Sequence, residues 1–130
     1  MLPSHIEPNA ALRVTRWETV LSDVGPLSFD GLADRGDTLT LTVQDEGGRR
    51  YEVAVEQPDV YRVAGEHQLI HYWSVVGEGA GPTLRVTGAR WTEDLELREV
   101  YAPGAQHFLV VTDDVCLEVA TTREPTVRAL

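Results

Sequence analysis

Thr38-Leu39-Thr40-Leu41-Thr42-Val43, then Glu46-Gly47-Gly48, then Tyr51-Glu52-Val53-Ala54-Val55 is the stretch that decides how the rest of the chain is read. Apolar and polar residues alternate with period two on both sides of a glycine pair, which is the pattern of two half-buried antiparallel strands. The leucines and Val43 face one way and three threonines the other, with β-branched residues on the wet face. A three-residue loop with Gly48 in the left-handed conformation pairs Val43 with Tyr51, Leu41 with Val53 and Leu39 with Val55. The same register sets Asp45 opposite Arg49 and Thr38 opposite Glu56, so the dry and the wet face agree.

A second hairpin follows the same logic further along. Gln106-His107-Phe108-Leu109-Val110-Val111-Thr112 turns at Asp113-Asp114 and returns as Val115-Cys116-Leu117-Glu118-Val119-Ala120. A two-residue turn pairs Phe108 with Val119 and Val110 with Leu117. Leu109, Val111 and Cys116 make the opposite face apolar as well, as expected of strands covered on both sides near the centre of a sheet. Residues 60–63, 69–76 and 84–87 also read as strands, punctuated by Pro58-Asp59, Ala64-Gly65 and the glycine-rich turn Gly77-Glu78-Gly79-Ala80-Gly81-Pro82.

The remaining segments speak less clearly. Residues 12–21 fit a helical face through Val14, Trp17 and Leu21, but Val14, Thr15, Thr19 and Val20 are poor helix formers, which favours strand. Residues 25–37, with Pro26, Gly31 and Gly36, read as a long polar connection. Residues 90–101 divide evenly between a short helix capped by Thr92 and a strand alternating through Leu95 and Leu97. The sum is an all-β, mainly antiparallel fold: a small sandwich or barrel of about seven to nine short strands with at most one short helix. Residues 1–130 form one domain, with short flexible tails expected at 1–9 and 121–130.

Composition narrows the function classes. The chain is 42% hydrophobic and 25% charged, ordinary values for a soluble globular domain large enough to bury a core. Its 21 acidic against 11 basic residues give a formal net charge of −10, which repels nucleic-acid phosphates and anionic lipid surfaces. All the basic residues are arginine, so Schiff-base, P-loop and general-base chemistry through lysine is absent. One cysteine, Cys116, precludes an internal disulfide framework and a multi-thiolate metal site. With no apolar run of membrane-spanning length and no signal-like start, a reducing cytoplasm is the expected home.

Candidate chemistry is sparse. His67 and His71 with Glu66 suggest a metal site, but four residues along a strand separate two side chains by roughly 13 Å, too far to share one ion. His107 and Cys116 suggest a Cys-His pair, yet the hairpin register sets Cys116 against Val111 and His107 against Ala120. Asp113-Asp114 reads as turn chemistry rather than an acid–base pair. No serine among positions 4, 22, 28 and 74 lies in a nucleophile elbow, and the Gly77 to Gly81 run has no lysine after it to make a phosphate loop. No cofactor or metal is therefore expected.

The aromatic residues carry more information. Trp17, Trp73 and Trp91 read mainly as core, with tyrosine hydroxyls at its edge. Tyr72 and Trp73, adjacent in a strand, point to opposite faces, so one of them leaves the core side. His71, Tyr72, Trp73 and His107 are accordingly the candidate pocket or partner surface. Acidity and aromatics without a catalytic constellation point to a non-enzymatic domain that binds a basic protein partner, as an immunity protein or an inhibitor of a nucleic-acid enzyme does. Two alternatives stand beside it: a β-barrel or minor enzyme holding a small molecule inside its sheet, and a structural homo-oligomer joined through a strand edge.

Overall fold

The structure, a computed structural model, describes residues 12–89 and 105–130. Its strands are β1 (Arg13–Arg16), β2 (Ser28–Asp34), β3 (Thr38–Gln44), β4 (Arg50–Glu56), β5 (Val60–Ala64), β6 (Thr83–Thr87), β7 (Gln106–Val111), β8 (Cys116–Thr121) and β9 (Thr126–Ala129). Between β5 and β6 a 3-10 turn, Glu66–Leu69, runs directly into one α-turn, α1 (Ile70–Trp73). Every pairing is antiparallel. Five strands in the order β1-β6-β7-β8-β5 form one sheet and four in the order β2-β3-β4-β9 form the other, so the fold is a sandwich and not a closed barrel.

The β3–β4 hairpin has the register its alternation demands, from Thr38 opposite Glu56 to Val43 opposite Tyr51. Gly48 turns the chain with a φ of 86°, a conformation that a side chain would strain. Asp45 closes the loop: its Oδ1 accepts from the amides of Gly47 and Arg49 at 2.9 and 3.0 Å, and its Oδ2 accepts the Tyr51 hydroxyl at 2.9 Å. These bonds hold the Asp45 carboxyl below the usual carboxylate range against the opposing effect of desolvation. The β7–β8 hairpin closes at Asp113-Asp114, where the Thr112 amide donates to the Val115 carbonyl at 3.1 Å.

Two apolar clusters follow from the layering. Between the sheets, Phe108, Val110, Leu117 and Val119 meet Leu39, Leu41, Val43, Val53 and Val55, and the Trp17 ring tilts against Phe108 with centroids 4.7 Å apart. On the far side of the five-stranded sheet, Val14, Leu84, Val86, Leu109 and Cys116 lie beneath Leu69 and Tyr72. Each fully buried side chain of this size contributes about 1.5–3 kcal/mol by leaving water. No helix among the described residues is long and apolar enough to cross a membrane.

Four segments differ from the sequence reading. Residues 69–76 begin helical rather than extended: Leu69, Tyr72, Trp73 and Val76 recur at three, four and seven residues, and these four are the ones turned to the sheet while Ile70, His71, Ser74 and Val75 are exposed. Residues 25–37 contain β2, an edge strand whose alternation is hidden by a bulge, so that Phe29 pairs with Val43 but Gly31 pairs with Thr42 and Leu32 with Leu41. In residues 12–21 only Arg13–Arg16 is strand, and the chain then turns so that Val14 joins the outer cluster while Trp17 and Leu21 enter the inner one. Residues 121–130 are not a loose tail, because β9 pairs with β4 from Thr126 opposite Ala54 to Ala129 opposite Tyr51. The expected tail at 1–9, Trp91 and the divided reading of 90–101 lie outside the described residues.

Deleting residues 126–130 is expected to lower the unfolding free energy by about 2 kcal/mol or more, since it strips a ladder and the half-buried Val127 from β4. Urea denaturation of the truncated chain checks this, and an unchanged midpoint would mean the segment contributes no more than a tail.

Candidate functional site

The outer face of the five-stranded sheet carries one charged residue that the apolar pattern does not call for. Glu118, in the middle of β8, is 0% exposed. β5 sets Arg62 directly opposite it, and β7 brings His107 in diagonally, since Leu109 is the residue paired with Glu118. From above, α1 lowers Tyr72, itself fully buried. The Tyr72 hydroxyl donates to Glu118 Oε1 at 2.5 Å, His107 Nε2 lies 2.8 Å from the same oxygen, and Arg62 Nε donates to Oε2. An ionised carboxylate only accepts, so His107 carries its proton on Nε2.

Electrostatics follow from this geometry. Burial alone would raise the Glu118 carboxyl, but the hydrogen bonds from His107, Tyr72 and Arg62 outweigh it and hold the group below its ordinary value. Tyr72 goes the other way: burial, then the bond to Glu118, pushes its hydroxyl far above the usual tyrosine range. Neither group changes charge near neutral pH. The cluster can therefore clamp the helical segment to three strands, which is a different task from shuttling protons.

A separate groove of about 510 Å³ opens at one end of the sandwich, between the loops that contain Ser22 to Leu27, Val76 to Pro82 and Val111 to Asp113. Its walls are mainly apolar, among them Leu27, Trp73, Val76 and Leu84, and among the described residues its two charged lining side chains, Glu66 and Asp113, are both acidic. Trp73 is half-buried, and its Nε1 donates to the Glu66 carbonyl at 2.8 Å, which fixes the ring while leaving part of it open. Asp113 Oδ1 accepts the Phe29 amide at 3.1 Å and its own amide donates to the Leu27 carbonyl at 2.9 Å, so the hairpin turn joins the two sheets here. Gly81 sits where nothing larger fits: its φ is 79°, and a Cβ would stand 2.7 Å from the Ser22 carbonyl oxygen.

The four candidate surface residues part company. Tyr72 and His107 meet on Glu118, both too buried to touch a partner. Trp73 lines the groove, and His71 is exposed with its ring 4.4 Å from that of Tyr72. Their adjacency on a helical turn, not strand alternation, is what separates Tyr72 from Trp73. His67 and His71 stand four apart on the helical segment, so the strand argument against convergence no longer applies, but no group of three metal-ligating side chains forms among the described residues. Cys116 faces Val111 and is buried; desolvation, then the charge of Glu66, pushes its thiol up to about 11, which disfavours a thiolate nucleophile. Glu118 escaped the sequence reading, although a lone acid inside Val115-Cys116-Leu117-Glu118-Val119-Ala120 was its visible signal.

Compared with protein-family models, with curated proteins and with solved structures, the chain matches none. The chemistry of the site therefore rests on the residues themselves.

Glu118→Ala is expected to cost about 3–5 kcal/mol, because it leaves Arg62 and two buried donors without their acceptor, and Tyr72→Phe about 1–3 kcal/mol. The folded-state value of Glu118 is depressed, so its stabilisation is complete above the ordinary value of 4.5 and is lost as pH falls below it. Urea titrations between neutral and acid pH should show wild type losing more stability than Glu118→Gln; parallel curves would contradict the clamp. Gly81→Ala is expected to cost about 1–3 kcal/mol through the strained φ and the Ser22 contact, measurable as a lowered thermal midpoint.

Proposed function

We propose that this protein is a non-enzymatic, acidic recognition domain that binds a basic protein partner, in the manner of an inhibitor or an immunity protein. The observation that carries the reading is how its charges are used. Arg50, Arg62, Arg85, Arg123 and Arg128 are paired with carboxylates of the chain's own, and Arg16 with two. At the groove end one arginine, Arg16, is paired with Glu18 and Asp23 and donates to the Gly79 carbonyl at 2.9 Å, but acid is in surplus: Glu66, Glu78, Asp113 and Asp114 make no ion pair among the described residues, and Glu46 reaches over from the β3–β4 turn towards Gly25. Several loops thus present surplus negative charge around one apolar depression, which favours a cationic surface with an apolar contact at its centre.

Isothermal titration of the full chain with an arginine-rich peptide tests this. Binding at low salt that weakens steeply with added salt, together with none for a glycine-serine peptide of equal length, is the expected result. No heat from the basic peptide at any salt concentration would remove the proposal.

A further inference from the structure

The shape and charge of the groove specify more than a general attraction to basic surfaces, and they bear on the same partner-binding role, on which the inference depends. Its volume of about 510 Å³ accommodates a side chain and the backbone around it, not a whole domain face. Its interior is mainly apolar, and among the described residues its aromatic surface is the half-buried ring of Trp73 and its two charged lining residues are the carboxylates Glu66 and Asp113. Glu66 takes part in no side-chain hydrogen bond or ion pair among the described residues, while Asp113 uses one oxygen on the Phe29 amide and keeps the other available. Among the described residues no basic side chain lines the groove; the nearest placed cation, Arg16, donates to the Gly79 carbonyl at its rim and is already paired with Glu18 and Asp23.

We infer that this groove takes one arginine side chain from a chain end or loop of the basic partner. An arginine has an aliphatic stem that suits Leu27, Val76 and Leu84, a planar cation that stacks on an indole face, and a fork of donors matched to carboxylates. Lysine offers the stem and the charge but neither plane nor fork. A purely apolar side chain would fill the walls and leave Glu66 and Asp113 to be desolvated without compensation. Because Trp73 Nε1 is already bonded to the Glu66 carbonyl, the indole offers its ring and not its donor.

The test is a nuclear magnetic resonance titration of the isotope-labelled full chain with three capped tripeptides, Gly-Arg-Gly, Gly-Lys-Gly and Gly-Leu-Gly. The expected result is that the arginine peptide shifts the Trp73 indole and the amides of residues 76–82, binds at least roughly tenfold more tightly than the leucine peptide, and is weakened severalfold by Glu66→Gln or Asp113→Asn. Both substitutions are on exposed side chains, and Asp113→Asn keeps an acceptor for Phe29, so folding should survive; Trp73→Ala, expected to abolish the shifts, is read only if its spectrum stays dispersed. Equal affinity for the leucine peptide would overturn the inference, as would arginine shifts that map away from the groove. If the longer arginine-rich peptide binds with its salt dependence intact in the Glu66→Gln and Asp113→Asn variants, the groove assignment fails and the partner reading stands. If no basic peptide binds at low salt, both fail.

Discussion

A sheet that is apolar on both faces must be covered twice, and that requirement organises this molecule. Leu109, Val110, Cys116 and Leu117 are each at most 2% exposed although they alternate between the two sides of β7 and β8. One cover is regular: β2-β3-β4-β9 supplies a row of leucines and valines and turns its threonines to water. Among the described residues the other cover is built around a helical segment of eight residues, which fully buries Leu69 and Tyr72, with Val76 and Ala80 of the following loop packed beside it. Helices this short have little stability of their own, so the tertiary contacts hold it in place.

That asymmetry explains why a carboxylate is tolerated in the middle of β8. A buried charge is costly unless its partners are complete, and Glu118 draws its donors from β5, β7 and α1. An apolar residue there would pack without specifying where the helical turn docks. The carboxylate accepts the Tyr72 hydroxyl at one place only, which fixes the angle at which α1 crosses the sheet and, with it, the position of the adjacent Trp73. The clamp and the groove are thus linked through one step of the chain.

Legibility in the sequence tracked how much of each element's structure is local. The hairpins 38–56 and 106–121 could be read to the residue, because alternation and turn chemistry both report on the same register. β2 and β9 could not, since a bulge breaks one alternation and the other is four residues whose strand state exists only through β4. The stretch 69–76 carries both periods at once: β-branched and aromatic residues argued strand while Leu69, Tyr72, Trp73 and Val76 traced a helical face. The candidate surface was half legible for the same reason. Tyr72 and His107 were singled out as unusual, but that Glu118 joins them depends on the pairing of β5 with β8, which has no local signature.

Charge is sorted by structural role as well. Across strands the chain pairs its arginines with its own acids, Arg50 with Asp30, Arg128 with Glu52 and Arg62 with Glu118, so the sheet faces contribute little net field. Some turns instead select aspartate for reasons of backbone geometry, as Asp34 and Asp45 show by accepting amides two to four residues on, whereas Asp113 spends its carboxylate on the Phe29 amide of the other sheet. Turns cluster at the ends of a sandwich, and where β3–β4, β7–β8 and the glycine-rich loop converge, their carboxylates surround a depression that holds an exposed part of an indole ring. In the partner-binding reading proposed above, charges arranged this way would steer an approaching cation towards the groove. A surplus of acid that looks global in the composition is, in the fold, directed in part at one place.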